Sequence, residues 1–150
     1  MFSKTCEYGI RSAIYVAVQS LEDENRKIKL PEIIKHVDTP VAFTAKILGV
    51  LNKAKVISSR TGPTGGFFVS LAQMKKSKLI QIVDALDGDR VYNGCAMGLE
   101  ACGHENPCPM HEKFVKVREE LKNVLETTSL YDMAISTKSG KTVLSSLNIK

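Results

Sequence analysis

Residues 31–71 read PEIIKHVDTPVAFTAKILGVLNKAKVISSRTGPTGGFFVSL, and this segment sets the architecture. Pro31 suits the first turn of a helix that buries Ile33, Ile34 and Val37. Asp38-Thr39 is a tight connection, with Thr39 placed to cap a second helix opening at Pro40 and burying Ile47, Leu48, Leu51 and Ala54. Two helices joined by about three residues have the form of a helix-turn-helix. Ala42, Phe43, Ala45 and Lys46 fall off the buried stripe near the N-terminus of the second helix. That is the end of a recognition helix that meets base edges. Phe43 fits that face and the core equally well. Val56–Arg60 and Phe67–Leu71 then have strand composition, and Thr61-Gly62-Pro63-Thr64-Gly65-Gly66 between them is turn sequence. A hairpin directly after a helix-turn-helix is a winged helix. The glycine turn lacks the Gly-Lys-Ser/Thr ending of a nucleotide loop and follows no strand–helix unit. Arg60 beside it suits a wing tip reaching the DNA backbone or minor groove.

Upstream, Ile10, Ala13, Ile14, Ala17, Val18 and Leu21 recur at helical spacing, and Glu22–Lys27 reads as a solvated loop. Downstream, a short helix over Ser77–Leu86 stops at Gly88, and the chain from Val91 to Pro109 has no convincing period. That stretch holds three of the four cysteines, spaced Cys95-x6-Cys102-x5-Cys108-x2-His111. Three thiolates on one loop, with a histidine at a helix start, can hold iron–sulfur or zinc. Structural zinc usually takes short Cys-x2–4-Cys knuckles, and their absence favours iron–sulfur. A long helix follows, on which Met110, Phe114, Val117, Leu121, Val124 and Thr128 alternate in steps of four and three. This heptad-like seam predicts a two-fold homodimer. Thr127-Thr128-Ser129 caps a last short helix, Leu130–Ile135.

Composition bounds the function. At 150 residues, 43% of them hydrophobic, the chain can bury a core but is too short for a large barrel. Its longest run free of Asp, Glu, Lys and Arg, Thr61–Met74, is shorter than the roughly 18 residues of a membrane span. Lys4, Glu7 and Arg11 precede any apolar run, which argues against a signal peptide and for the cytoplasm. There the cysteines read as thiols or ligands rather than disulfides. Residues 1–76 carry 12 Lys/Arg against 6 Asp/Glu, whereas residues 77–150 carry 9 against 10. Positive charge confined to the first half points to a polyanion, with Lys4, Arg11, Lys46 and Arg60 as the expected contacts. The absence of a Cys-x-x-Cys, of a nucleophile–base pair and of any cofactor fingerprint speaks against an enzyme. The expected fold is mainly α with a small β-hairpin wing: a winged helix-turn-helix over 1–76, the cysteine loop and dimerisation helices over 77–135, and a flexible tail over 136–150.

In this order the pieces resemble the bacterial Rrf-two family of winged-helix transcription regulators, whose branches include iron–sulfur-assembly, nitric-oxide-sensing and cysteine-metabolism regulators. The marks are FSKTCEYGIR over 2–11, FTAKIL over 43–48, GPTGGF over 62–67, and Cys108-Pro109-Met110-His111. The resemblance implies a homodimer on a pseudo-palindromic double-stranded DNA operator. Its DNA contacts would be Lys4, Arg11, Ala42, Phe43, Thr44, Lys46, Arg60, Thr61, Gly62, Thr64 and Gly65. It places Met110, Phe114, Val117, Leu121 and Val124 at the dimer interface, and an iron–sulfur cluster on Cys95, Cys102 and Cys108. The iron–sulfur-assembly branch points to His111 as fourth ligand of a two-iron two-sulfur cluster, and the nitric-oxide-sensing branch to Glu7. A four-iron four-sulfur cluster, zinc, or a thiol-based regulator with no metal are the alternatives. Two departures stand out: Lys55 where the family usually has glycine, and x6 between the first two cysteines where relatives often have x5.

Overall fold

Ser3 opens the first helix, its Oγ accepting the Cys6 N–H at 3.0 Å. That helix, α1 (Lys4–Glu22), is the centre of the protein and is buried on more than one face, Ser12 and Ser20 included. The other elements are α2 (Leu30–Val37), α3 (Val41–Lys53), β1 (Ser58–Arg60), β2 (Gly66–Phe68), α4 (Leu71–Lys76), α5 (Leu79–Asp87), α6 (Arg90–Asn93), α7 (His111–Thr127) and α8 (Leu130–Lys138). The computed structural model describes residues 1–144. The fold is a winged helix-turn-helix extended by further helices. No helix among the described residues is long and apolar enough to cross a membrane.

The main core joins α1, α2 and α3 through Ala13, Val16, Ile33, Val37, Leu48 and Leu51. Ile82 of α5 and Leu130 and Ala134 of α8 belong to the same core. The expected division at residue 76 is therefore a change of role along the chain rather than a break in packing. A second cluster gathers Cys6, Val83, Tyr92 and Leu125, seating α7 on α5 and α6. The helix α8 also runs past Ile135 to Lys138, so the first part of the expected tail is helical. Its Ser129 Oγ and Asp132 carboxylate cap each other's backbone N–H groups. Thr142 N–H donates to Ser136 O, and Leu144 reaches the main core; residues 145–150 of that tail lie outside the described residues.

The wing is shorter than its composition suggests. Ser58, Ser59 and Arg60 pair with Phe68, Phe67 and Gly66. Val56 and Ile57 are buried instead of extending β1, because the core beneath α3 takes both side chains. Leu71 starts α4, since Ser70 accepts the Gln73 N–H and ends the strand. Pro40 rather than Thr39 occupies the cap position of α3.

Past α3, Lys55 sits at φ 62°, the left-handed conformation that glycine adopts without cost. A side chain there costs about 1–2 kcal/mol, while glycine gives back about 0.4–1 kcal/mol through the freer unfolded chain. Lys55→Gly should therefore stabilise the protein by about 0.5–1 kcal/mol and raise Tm by about 2 °C. Calorimetry reads this directly, and an unchanged or lower Tm would mean the turn is not strained.

Candidate functional site

Two regions carry chemistry: the outward face of α3 with the wing, and the cysteine loop with α7. On α3, Val41, Ala42, Phe43, Ala45 and Lys46 are exposed, Phe43 at 56%. Phe43 thus stands on the outward face and not in the core. Thr44 is different. It is fully buried, its Oγ1 donating to Pro40 O at 2.6 Å and lying 2.9 Å from Thr39 Oγ1. Its place as a DNA contact is therefore corrected, because the hydroxyl is already satisfied inside the helix-turn-helix corner.

Arg60, Thr61, Gly62 and Thr64 are exposed on the wing, as a reaching tip needs. Gly65 is buried, and a Cβ on it would lie 2.0 Å from Arg60 O, so it shapes the turn and offers no surface to DNA. This corrects its expected role as a contact. Gly66 has φ 148°, and a Cβ there would meet Ile28 O at 2.7 Å. That close approach exists because Ile28 and Phe67 exchange N–H···O bonds of 2.8 Å, adding a third backbone segment to the hairpin. Lys29 Nζ donates to Pro63 O at 2.8 Å, and Lys27 lies 4.2 Å from the Phe68 ring centroid. From α4, Gln73 Nε2 donates to Lys55 O and its Oε1 accepts from Ser58 Oγ. Lys29 and Gln73 thus hold the wing from both sides. No local pattern marks them, because each partner lies many residues away.

At the start of α1, Lys4 is paired with Glu7 at 3.1 Å and Arg11 lies over the Tyr8 ring at 5.1 Å. Both cations are at least partly exposed, as phosphate contacts must be.

In the cysteine loop the Sγ atoms of Cys95, Cys102 and Cys108 all lie within 4.8 Å of one another. Cys95 Sγ is 3.7 Å from Cys108 Sγ, and Cys102 Sγ is 3.3 Å from His111 Nδ1. Backbone N–H groups of Met97 and Cys108 point at the sulfurs of Cys95 and Cys102, each at 3.4 Å. N–H groups aimed at sulfur favour thiolate. Those of Leu99 and Met97 hold the Cys95 thiol down to about 7. For Cys102, the pull of the Cys108 N–H is outweighed by burial and the neighbouring thiols, and its acidity falls. The donor set of three soft sulfurs and an imidazole nitrogen fits a transition-metal ion or cluster. His111 is buried, and its Nε2 has no partner among the described residues. The groups that converge mutually are the three cysteines; His111 meets Cys102 alone, and Glu7 is paired with Lys4.

The loop is anchored at its first ligand. Gly94 N–H donates to Arg90 O at 2.7 Å, and Arg118 of α7 donates to Gly94 O. Arg118 is a contact that sequence reasoning missed. The fourth cysteine, Cys6, is fully buried in the second cluster, and burial and the nearby Asp87 push its thiol up to about 12. Iodoacetamide at pH 7 should therefore alkylate Cys95 of metal-free protein first and leave Cys6 intact, as read by peptide mass mapping. Equal labelling of the two would overturn this reading of the loop.

On α7, Val117 and Val124 are 56% and 52% exposed, and Met110 is exposed at the cap. Phe114 and Leu121 are half-buried and, with Phe2, Val91 and Val117, line an open groove of about 730 Å³. Leu125, absent from the expected seam, turns inward and is buried in the second cluster.

Comparison with known proteins agrees with this fold. The family model described as Rrf2, iron-dependent transcriptional regulator, matches residues 2–135. A provisionally named HTH-type transcriptional regulator of Aquifex aeolicus is 30% identical over 136 residues, covering 89% of this chain and 90% of that protein. Among solved structures, CymR, the global cysteine regulator of B. subtilis, superposes with a TM-score of 0.71 at 22% identity, covering 91% of this chain and 98% of that one. T. potens IscR gives 0.70 at 18% identity, covering 95% and 92%. At these identities the two structures speak for the fold.

Proposed function

The chain belongs to the Rrf2 family of DNA-binding transcriptional regulators, which are not enzymes, and from that premise we propose a cytoplasmic homodimer whose cysteine loop senses through an iron–sulfur cluster. The observation that carries the sensing half is the convergence of Cys95, Cys102 and Cys108 on the loop that leads into α7. His111 would complete the ligand set of a two-iron two-sulfur cluster, supported by its Nδ1 lying beside Cys102 Sγ. When bound, such a group supplies a centre responsive to redox state, iron supply or nitric oxide. Cys95 is tied through Gly94 to Arg118, so release of the ligands loosens the first turns of α7 from α6. The result is an order–disorder switch of the loop that biases the dimer between two arrangements.

On the DNA side, α3 would enter the major groove of each half of a pseudo-palindromic operator, with the wing along the backbone. Lys4, Arg11, Lys46 and Arg60 would take phosphates, supported by the positive charge of the first half and the exposure of these cations. Lys46→Ala and Arg60→Ala, each present twice in the dimer, should weaken binding on all duplexes alike and reduce the salt slope by about 1.8. An unchanged slope, measured by anisotropy titration, removes that residue from the interface.

The decisive experiment is anaerobic purification followed by a visible spectrum and assay of iron and sulfide. Brown protein with equimolar iron and sulfide upholds the cluster. Colourless protein with stoichiometric zinc makes the loop a zinc staple. Protein with no metal leaves the thiol reading, which the 3.7 Å approach of Cys95 to Cys108 favours.

A further inference from the structure

The outward face of α3 is defined by the chemistry it lacks. Ahead of Asn52 its exposed residues are Val41, Ala42, Phe43, Ala45, Lys46 and Gly49. None carries an amide, carboxylate, guanidinium or hydroxyl. The hydroxyl of Thr44 is turned inward and used up on Pro40 O and Thr39. Base edges in the major groove are told apart by paired hydrogen bonds to guanine, adenine or cytosine, and by one apolar mark, the 5-methyl group of thymine. A face built from valine, alanine, phenylalanine and a single lysine cannot form the amide pair with adenine or accept from cytosine. Lys46 can donate to guanine O6 and N7, and beyond that the thymine methyl group is the base feature this face can recognise.

We infer that Phe43 is the specificity-determining residue of the recognition helix and that it seats against thymine 5-methyl groups, one in each operator half-site, with Val41 and Ala45 beside it. The inference rests on the DNA-binding reading above and gives it a sequence class: half-sites selected for thymine under the N-terminus of α3. Two observations support DNA as the occupant. Phe43 and Val41 are 56% and 68% exposed although apolar, so the protein's own core does not explain them. Lys46 stands on the same face, within a half of the chain that carries twice as many cations as anions. Charge complementarity therefore favours a polyanion over an apolar protein partner.

The test starts from selection of a randomised duplex library by the full-length protein. Thymines in the enriched duplex are then replaced one position at a time by deoxyuridine, which removes only the methyl group. Burial of one methyl corresponds to about fourfold in affinity, so replacement at the symmetric pair should weaken binding about fifteenfold. Phe43→Ala, at an exposed position, should keep the wild-type Tm, bind more weakly, and change less than twofold on the same replacement. An enriched site that tolerates every deoxyuridine overturns the inference while leaving DNA binding intact. So does a uracil penalty of equal size in wild type and Phe43→Ala. If no duplex is enriched, the DNA-binding reading fails, and the inference with it.

Discussion

Alanine at Cys102 should remove visible absorbance and bring iron per protomer to background, and alanine at Cys95 or Cys108 should do the same. Three sulfurs within 4.8 Å would share one ligand set, and losing any one would leave two thiols on a loop with few apolar anchors. Met97, Leu99 and Ala101 between the ligands are all exposed, so little else holds the loop in place. Cys6→Ala should retain the spectrum, because Cys6 is sealed in the second cluster between α1, α5 and α7. His111→Ala should shift the absorbance maximum, and Glu7→Ala should not. Iron and sulfide retained by all three loop variants after anaerobic reconstitution would end the cluster proposal.

The second large effect concerns the dimer. Val117→Asp combined with Val124→Asp should give a folded monomer at micromolar concentration, read by sedimentation beside an unchanged circular dichroism spectrum. Both side chains are more than half exposed on the protomer, so aspartate is hydrated there at little cost. In a two-fold seam each charge occurs twice and would be buried without a partner. The monomer would meet the two operator half-sites as independent targets, lowering DNA affinity about 10²–10⁴-fold. Leu121→Asp is the poorer probe, since Leu121 also packs on its own protomer's second cluster. A doubly substituted protein that stays dimeric would place the interface elsewhere.

Much of this was legible in local spacing. The helical stripe of α1, the corner between α2 and α3, and the turn sequence of the wing each follow from residues within a few positions of one another. So does the crowding of thiols between Val91 and Pro109. Thr44 was misread because its polarity suggests a solvent position. Yet it stands three and four residues before Ile47 and Leu48, on the core stripe, where a threonine can satisfy its hydroxyl on the preceding turn. Helices α4 and α6 carry too few residues for a period to show, and they form because neighbouring elements cover them.

The sequence by itself determined the class of the protein: a basic helix-turn-helix with a glycine wing, then clustered thiols, then a long amphipathic helix. Tertiary structure decided which atoms meet. It turned Leu125 inward and left Val117 and Val124 outward on one helix. It clamped the wing through Lys29, Ile28 and Gln73, tied Cys95 to α7 through Arg118 and Gly94, and drew three sulfurs to one point. The physical reason is separation along the chain. Periodicity reports the faces of one element at a time, whereas these contacts join residues 15–39 positions apart for the wing clamp and 24 apart for Arg118–Gly94. They exist only once packing on α1 has brought those elements together.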